Sequence, residues 1–184
     1  MSSGYLCLQL HAHLPFVRHP EHESFLEESW FYEAIIETYI PLLQVFESLT
    51  ADNIDFKLTM SITPPLAEMF SDELLQNRFI DKLNLLIELS EKELSRTKNS
   101  EFYPIVLMYN TKLIQCRKVF INQYNKNLLA GFKYFQDIGK LEIITCSATH
   151  GFMPLMSVNK NAVNAQIEIA VKNYLKHFGK YPSG

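Results

Sequence analysis

The sequence predicts an α/β fold with parallel strands, on three observations. Three short strand-type segments alternate with long helical ones, so each strand is followed by a helix before the next strand begins. Distinctive polar residues sit where two of those strands end, the place where parallel α/β folds gather functional side chains. And three strands cannot close a barrel, while an open three-stranded parallel sheet leaves much of its surface uncovered. The chain therefore reads as the N-terminal part of a larger enzyme.

Tyr5 to Leu10 is the first strand, an apolar run leading into His11-Ala12-His13-Leu14-Pro15-Phe16-Val17-Arg18. Ser29 is placed to cap a helix running from Trp30 towards Leu49, with Pro41 either kinking it or starting a second helix. Phe56 to Thr63 alternates apolar and polar residues as a half-buried strand does, and ends in Thr63-Pro64-Pro65. Asp72 to about Ser95 has the helical spacing of Leu75, Phe79, Leu83, Leu86 and Ile87. A second long helix is expected from about Tyr103 to Phe135, its stripe of Cys116, Phe120, Tyr124, Leu128 and Phe132 reading as packing. The helical stretch of about 71–138 is an excursion between two barrel-type units. The turn Asp137-Ile138-Gly139-Lys140 leads into a third strand, Leu141 to Cys146. A last helix, Asn161 to Phe178, stops at Gly179, and Lys180-Tyr181-Pro182-Ser183-Gly184 resembles the start of another strand.

Composition narrows the function classes. A chain of 184 residues with 47% hydrophobic residues can bury one core. Seventeen basic against twenty acidic side chains, a net charge of -3, leave no footprint for nucleic acid or an anionic membrane. Cys7, Cys116 and Cys146 form no C-x-x-C pair, which fits a reducing compartment, with Cys7 and Cys146 expected in the core. There is no apolar run of membrane-spanning length and no signal-peptide pattern, so a cytoplasmic protein is expected. No Gly-rich phosphate loop, G-x-S-x-G or H-E-x-x-H motif occurs.

The candidate site is built on histidines. Residues two apart on a strand point the same way, so His11 and His13 share a face at the end of the first strand. His150 follows the third strand, next to Gly151, whose missing side chain lets the backbone approach a ligand. The three imidazoles can hydrogen-bond a polar substrate, ligate a metal, or serve the structure. The nearby acids Glu21, Glu23, Glu27 and Glu28 have no ligand-like spacing, and no metal site is assigned. Trp30 offers either a stacking platform for a sugar or an anchor for its helix. Arg18 binds an anion or pairs with the loop acids, and His19 and His22 read as surface residues.

Gly4-Tyr5-Leu6 with Leu10-His11-Ala12-His13-Leu14-Pro15-Phe16-Val17-Arg18 resembles the first motif region of glycoside hydrolase family 57, most closely its 1,4-α-glucan branching enzymes. The likeness continues through Glu28 to Leu43, Ile62 to Glu68, Ala148-Thr149-His150-Gly151-Phe152-Met153-Pro154-Leu155 and His177 to Gly184, and so spans the chain. The resemblance implies an incomplete seven-stranded β/α barrel, of which residues 1–184 are the N-terminal part of the catalytic domain. It implies α-1,4-glucans such as amylose and glycogen as substrate, no cofactor, and branching by retaining transglycosylation. An α-amylase, a 4-α-glucanotransferase or a non-catalytic glucan-binding remnant are the alternatives within that fold; a metal-dependent deacetylase on a related barrel is the outlier. By motif, His11, His13 and His150 would line the sugar-binding floor and Trp30 the same cleft. Retaining enzymes need two carboxyl groups about 5–5.5 Å apart. The resemblance places both beyond Gly184, the nucleophile in a Leu-Pro-Glu motif, so the remainder of the barrel, in cis or as a separate chain, is the expected partner.

Overall fold

The computed structural model describes Gly4 and residues 6–184. Its centre is a parallel three-stranded sheet of order β1-β2-β3, with β1 at Gln9–Ala12, β2 at Leu58–Ile62 and β3 at Leu141–Ile144. Helices α1 (Glu28–Ala34), α2 (Ile40–Ala51), α3 (Pro64–Ser71), α4 (Glu73–Thr97), α5 (Tyr103–Lys118), α6 (Leu128–Asp137), α7 (Met153–Met156) and α8 (Lys160–Phe178) fill the connections.

Pairing sets Leu10 beside Met60, Ala12 beside Ile62, and Met60 beside Ile143. Paired residues share a face, so these apolar side chains form one surface, against which the helices build a single core with Phe46, Leu66, Phe132 and Phe135. Aromatic edges interlock there: Phe46 meets Phe135 at 5.4 Å and Tyr39 meets Phe70 at 5.1 Å, both edge to face. The opposite face pairs Gln9 with Thr59 and His11 with Ser61, then Thr59 with Glu142. Apart from Ile144, paired with Ser61, it is polar, its side chains bonded along the rows: Thr59 Oγ1 donates to Glu142 Oε2 at 3.0 Å, and His11 Nδ1 lies 3.2 Å from Ser61 Oγ.

Several boundaries differ from the sequence reading, each for a physical reason. The first strand lies later, at Gln9–Ala12, because only that stretch has a partner row on β2; Leu6 is 85% exposed and Cys7 is exposed rather than core, while Tyr5 lies outside the described residues. Ser29 does not cap α1; Glu27 holds the N-cap position and no side chain bonds the helix start. Pro41 lies in the first turn of a second helix, α2, which is one of the two outcomes expected for it. A π turn, Ile35–Tyr39, in which Ile40 N–H reaches back to Ile35 O, precedes it. The wider turn accommodates a residue that cannot donate to the turn before and whose ring crowds it.

The expected helix from Tyr103 to Phe135 is two. After a second π turn, Val119–Gln123, residues Asn125 (φ 47°) and Lys126 (φ 65°) turn left-handed, and the Asn127 side chain accepts from Ala130 N–H at 3.1 Å to start α6. Asparagine is suited both to that conformation and to capping. The stripe itself is packing: Cys116, Phe120, Leu128 and Phe132 are buried and Tyr124 packs against them. Gly131 is required here, since a Cβ on it would stand 2.6 Å from the Tyr124 ring.

Thr63-Pro64-Pro65 does more than turn. Thr63 Oγ1 accepts from Leu66 N–H and opens α3, with proline in its first turn. The helix expected from Asp72 begins at Glu73, with Asp72 as its cap accepting from Leu75 N–H at 3.0 Å, and Gly179, left-handed at φ 73°, ends α8 as expected. No described helix is long and apolar enough to cross a membrane.

Candidate active-site cleft

Beyond the carboxyl ends of β1 and β3, His13 and His150 stack, ring centroids 4.7 Å apart and planes 24° from parallel. The two residues are 137 positions apart in sequence, and the parallel order of the strands delivers them to the same end of the sheet. They line an open cavity of about 790 Å³, whose walls include Pro15, Phe16, Pro64, Glu68, Thr149 and Asn173. Phe16 is 55% exposed, so an aromatic ring and prolines face the opening beside the imidazoles. This mixture of flat apolar surface and a few convergent polar groups suits a polyhydroxylated ligand.

Glu68 is the carboxylate of this cavity, and it is fully engaged. Asn173 Nδ2 at 2.7 Å, Lys176 Nζ at 2.7 Å and His177 Nε2 at 3.0 Å all bond its Oε1. Burial would raise the Glu68 carboxyl, but the hydrogen bonds from Lys176 and His177 outweigh it and hold the group below its ordinary value. Such a group stays ionised near neutrality and ties α3 to α8. It is not poised as a proton donor.

The other sequence-predicted residues stand apart from this pair. His11 is within β1, on the polar face of the sheet beside Ser61, and does not line the cavity. Trp30, 49% exposed, sits in the first turn of α1 and does not line it either. The space beside Gly151, expected for close approach of a ligand, is taken by the protein: a Cβ there would lie 2.8 Å from Met156 Sδ. Cys146, expected in the core, is half-buried with Sγ 3.2 Å from His150 Nδ1. No group of three or more His, Cys, Asp or Glu among the described residues could hold a metal ion.

The loop between the first strand and α1 is fixed by a network the sequence reading missed. Arg18 pairs with Asp72, Nε to Oδ2 at 2.5 Å, rather than with the loop acids. Glu28, read as a loop acid, is 2% exposed and bonded by Arg78 and by Tyr32 Oη at 3.0 Å. Arg78 also donates to the carbonyls of His19 (3.1 Å) and His22. The His22 side chain is at the surface; His19 is half-buried, its ring centroid 3.8 Å from that of Phe25. Only pairing across about fifty residues reveals these partners.

A parallel sheet with a histidine-lined cleft beyond its strand ends defines an α/β enzyme-type domain. The chain belongs to glycosyl hydrolase family 57, whose sequence description it matches over residues 7–184. Among curated proteins it is 37% identical, over 182 residues, to the 1,4-alpha-glucan branching enzyme TK1436 of Thermococcus kodakarensis; the match covers 98% of this chain and 26% of that protein. Among solved structures it superimposes on the alpha-amylase AmyC from Thermotoga maritima with a TM-score of 0.92 at 49% identity, over 97% of this chain and 34% of that one. A GH57-type branching enzyme from Pyrococcus horikoshii gives a TM-score of 0.91 at 34% identity, over 98% and 34%. The chain thus spans about a third or less of the relatives it matches.

Proposed function

We propose that this chain is the N-terminal part of the catalytic barrel of an α-glucan-processing enzyme, and that the whole protein forms branches in 1,4-α-glucan by retaining transglycosylation. The observation that carries the reading is the stacked His13–His150 pair at the mouth of the cavity, in a member of a glycosyl hydrolase family. In this reading His13 and His150 hold the sugar whose linkage is cleaved, and His11 meets it from the polar face of the sheet. Trp30 flanks the cleft once the substrate and the remaining barrel strands are in place. The hydroxyl-rich ring is oriented by imidazole hydrogen bonds, and the transition-state charge is met by fixed dipoles.

The two carboxyl groups of a retaining mechanism come from residues beyond Gly184, since Glu68 is committed to Lys176 and His177. The open polar face of the sheet supports a barrel interior completed by further strands, and Thr145 N–H already bonds Gly184 O at 2.9 Å alongside β3. These 184 residues on their own bind glucan without turning it over, and their uncovered sheet makes them associate. A monodisperse monomer by light scattering would count against that part of the proposal.

The alpha-amylase AmyC, at 49% identity, supports a second reading in which the whole protein hydrolyses or disproportionates α-1,4 linkages. Incubating the full-length protein with amylose and debranching the product separates the two. New α-1,6 linkages are expected; shortened linear chains with none would replace branching by the amylase or 4-α-glucanotransferase activity.

A further inference from the structure

The His13–His150 stack depends on a backbone conformation that histidine does not favour. His150 has φ 55°, in the left-handed region, although glycine, its neighbour at 151, would adopt that conformation without steric conflict. A histidine kept there must be held there. The restraint comes from two directions.

From α8, Gln166 clamps the residue before it. Its Oε1 accepts from Thr149 N–H at 2.9 Å, its Nε2 donates to Thr149 Oγ1 at 3.0 Å, and its main-chain carbonyl accepts from Ala148 N–H at 3.2 Å. Within the loop, His150 N–H closes a turn onto Ser147 O at 2.9 Å, and Ser147 Oγ donates to Gly151 O at 2.9 Å. From the end of β3, Cys146 Sγ stands 3.2 Å from His150 Nδ1, which leaves Nε2 as the ring nitrogen free for a ligand. Burial pushes the thiol above its ordinary value and Sγ donates to Ser147 O at 3.3 Å, so His150 Nδ1 meets a thiol rather than a thiolate.

We infer that Gln166 and Cys146 are positioning residues for the histidine pair: Gln166 holds the 148–150 backbone so that the His150 ring lies on His13, and Cys146 fixes that ring's orientation by engaging Nδ1. Neither residue lines the cavity, and both act through His150. The inference rests on the glucan reading only for what the pair binds; the positioning itself is independent of it.

Histidine-selective 15N labelling of the full chain tests it, with His13→Gln and His150→Gln assigning the two rings and showing how far each displaces the other's signals. Gln166→Ala is expected to move the His13 ring signals to their positions in His150→Gln and to weaken maltoheptaose binding about tenfold. Thr149→Val keeps the main-chain leg of the clamp and should give a smaller displacement of the same sign. Cys146→Ala should shift the His150 ring nitrogens and weaken binding, while Cys146→Ser, which keeps a hydrogen-bonding atom, restores both. Ring signals left at wild-type positions by Gln166→Ala, Thr149→Val and Cys146→Ala would overturn the positioning roles. Displaced signals in a chain that binds no maltoheptaose even as wild type would support positioning and overturn the glucan reading.

Discussion

On the helix-covered face of the sheet, Leu10, Ala12, Met60, Ile62, Leu141 and Ile143 are closed over by aromatic side chains from α2, α3 and α6, whereas on the opposite face His11, Thr59, Ser61 and Glu142 bond one another in rows. Parallel sheets ordinarily bury both faces in apolar contacts. An open polar face on such a sheet is therefore shaped for something other than a second helical layer, and a barrel interior that meets a sugar is the reading proposed here. One face holds the domain together; the other carries His11 beside Ser61, with His13 and His150 stacked beyond the strand ends.

The difference can be broken most severely from the core side. Phe46→Ala, at a position 1% exposed and wedged between Phe56 and Phe135, is expected to cost about 3–5 kcal/mol in urea unfolding. Gln9→Ala on the polar face should stay within about 0.5 kcal/mol; equal losses at the two sites would mean the faces are energetically alike. Glu28→Ala comes next, because it strands a guanidinium that also carries two loop carbonyls. Removing one partner of a buried pair costs about 3 kcal/mol or more, and the loss should be largest in protease protection of residues 18–28.

A smaller effect sharpens the contrast through pH. The Glu68 carboxyl is depressed in the folded state below its ordinary value of 4.5, burial opposing and Lys176 and His177 producing the shift. A depressed carboxylate contributes stability that is present above its unfolded pKa and lost as pH falls through the lower folded one. Thermal unfolding of the wild type should thus weaken more steeply below pH 4.5 than that of Glu68→Gln, and parallel curves would show that the α3–α8 tie contributes nothing. The least perturbing test is thiol labelling. Burial pushes the Cys116 thiol up to about 12, so it should react only on unfolding, while exposed Cys7 reacts at once. Rapid labelling of Cys116 in the native protein would contradict the closed core beneath α5.

What was legible in the sequence followed from short-range chemistry. The three strand segments, the α4 and α8 limits at Asp72 and Gly179, and the packing stripe from Cys116 to Phe132 rest on periodicity and capping, which neighbouring residues decide. The break at Asn125-Lys126-Asn127 was legible too, in two asparagines suited to turning and capping, but the regular stripe through it masked the signal. The cluster of His11, His13 and His150 stood out because strand ends in parallel folds are where side chains converge.

The rest required the third dimension. Register on β2 moved the first strand to Gln9–Ala12 and left Cys7 exposed, since a strand exists only where a partner row meets it. Tertiary pairing turned Glu28 from a loop acid into a buried anion, gave Arg18 to Asp72, and set Cys146 and Gln166 around His150. By itself the sequence determined the alternation of strands and helices and which histidines stand at or beyond the strand ends. The structure alone decided that His13 and His150 stack while His11 and Trp30 stand apart, because those distances depend on how strands separated by more than a hundred residues are brought together.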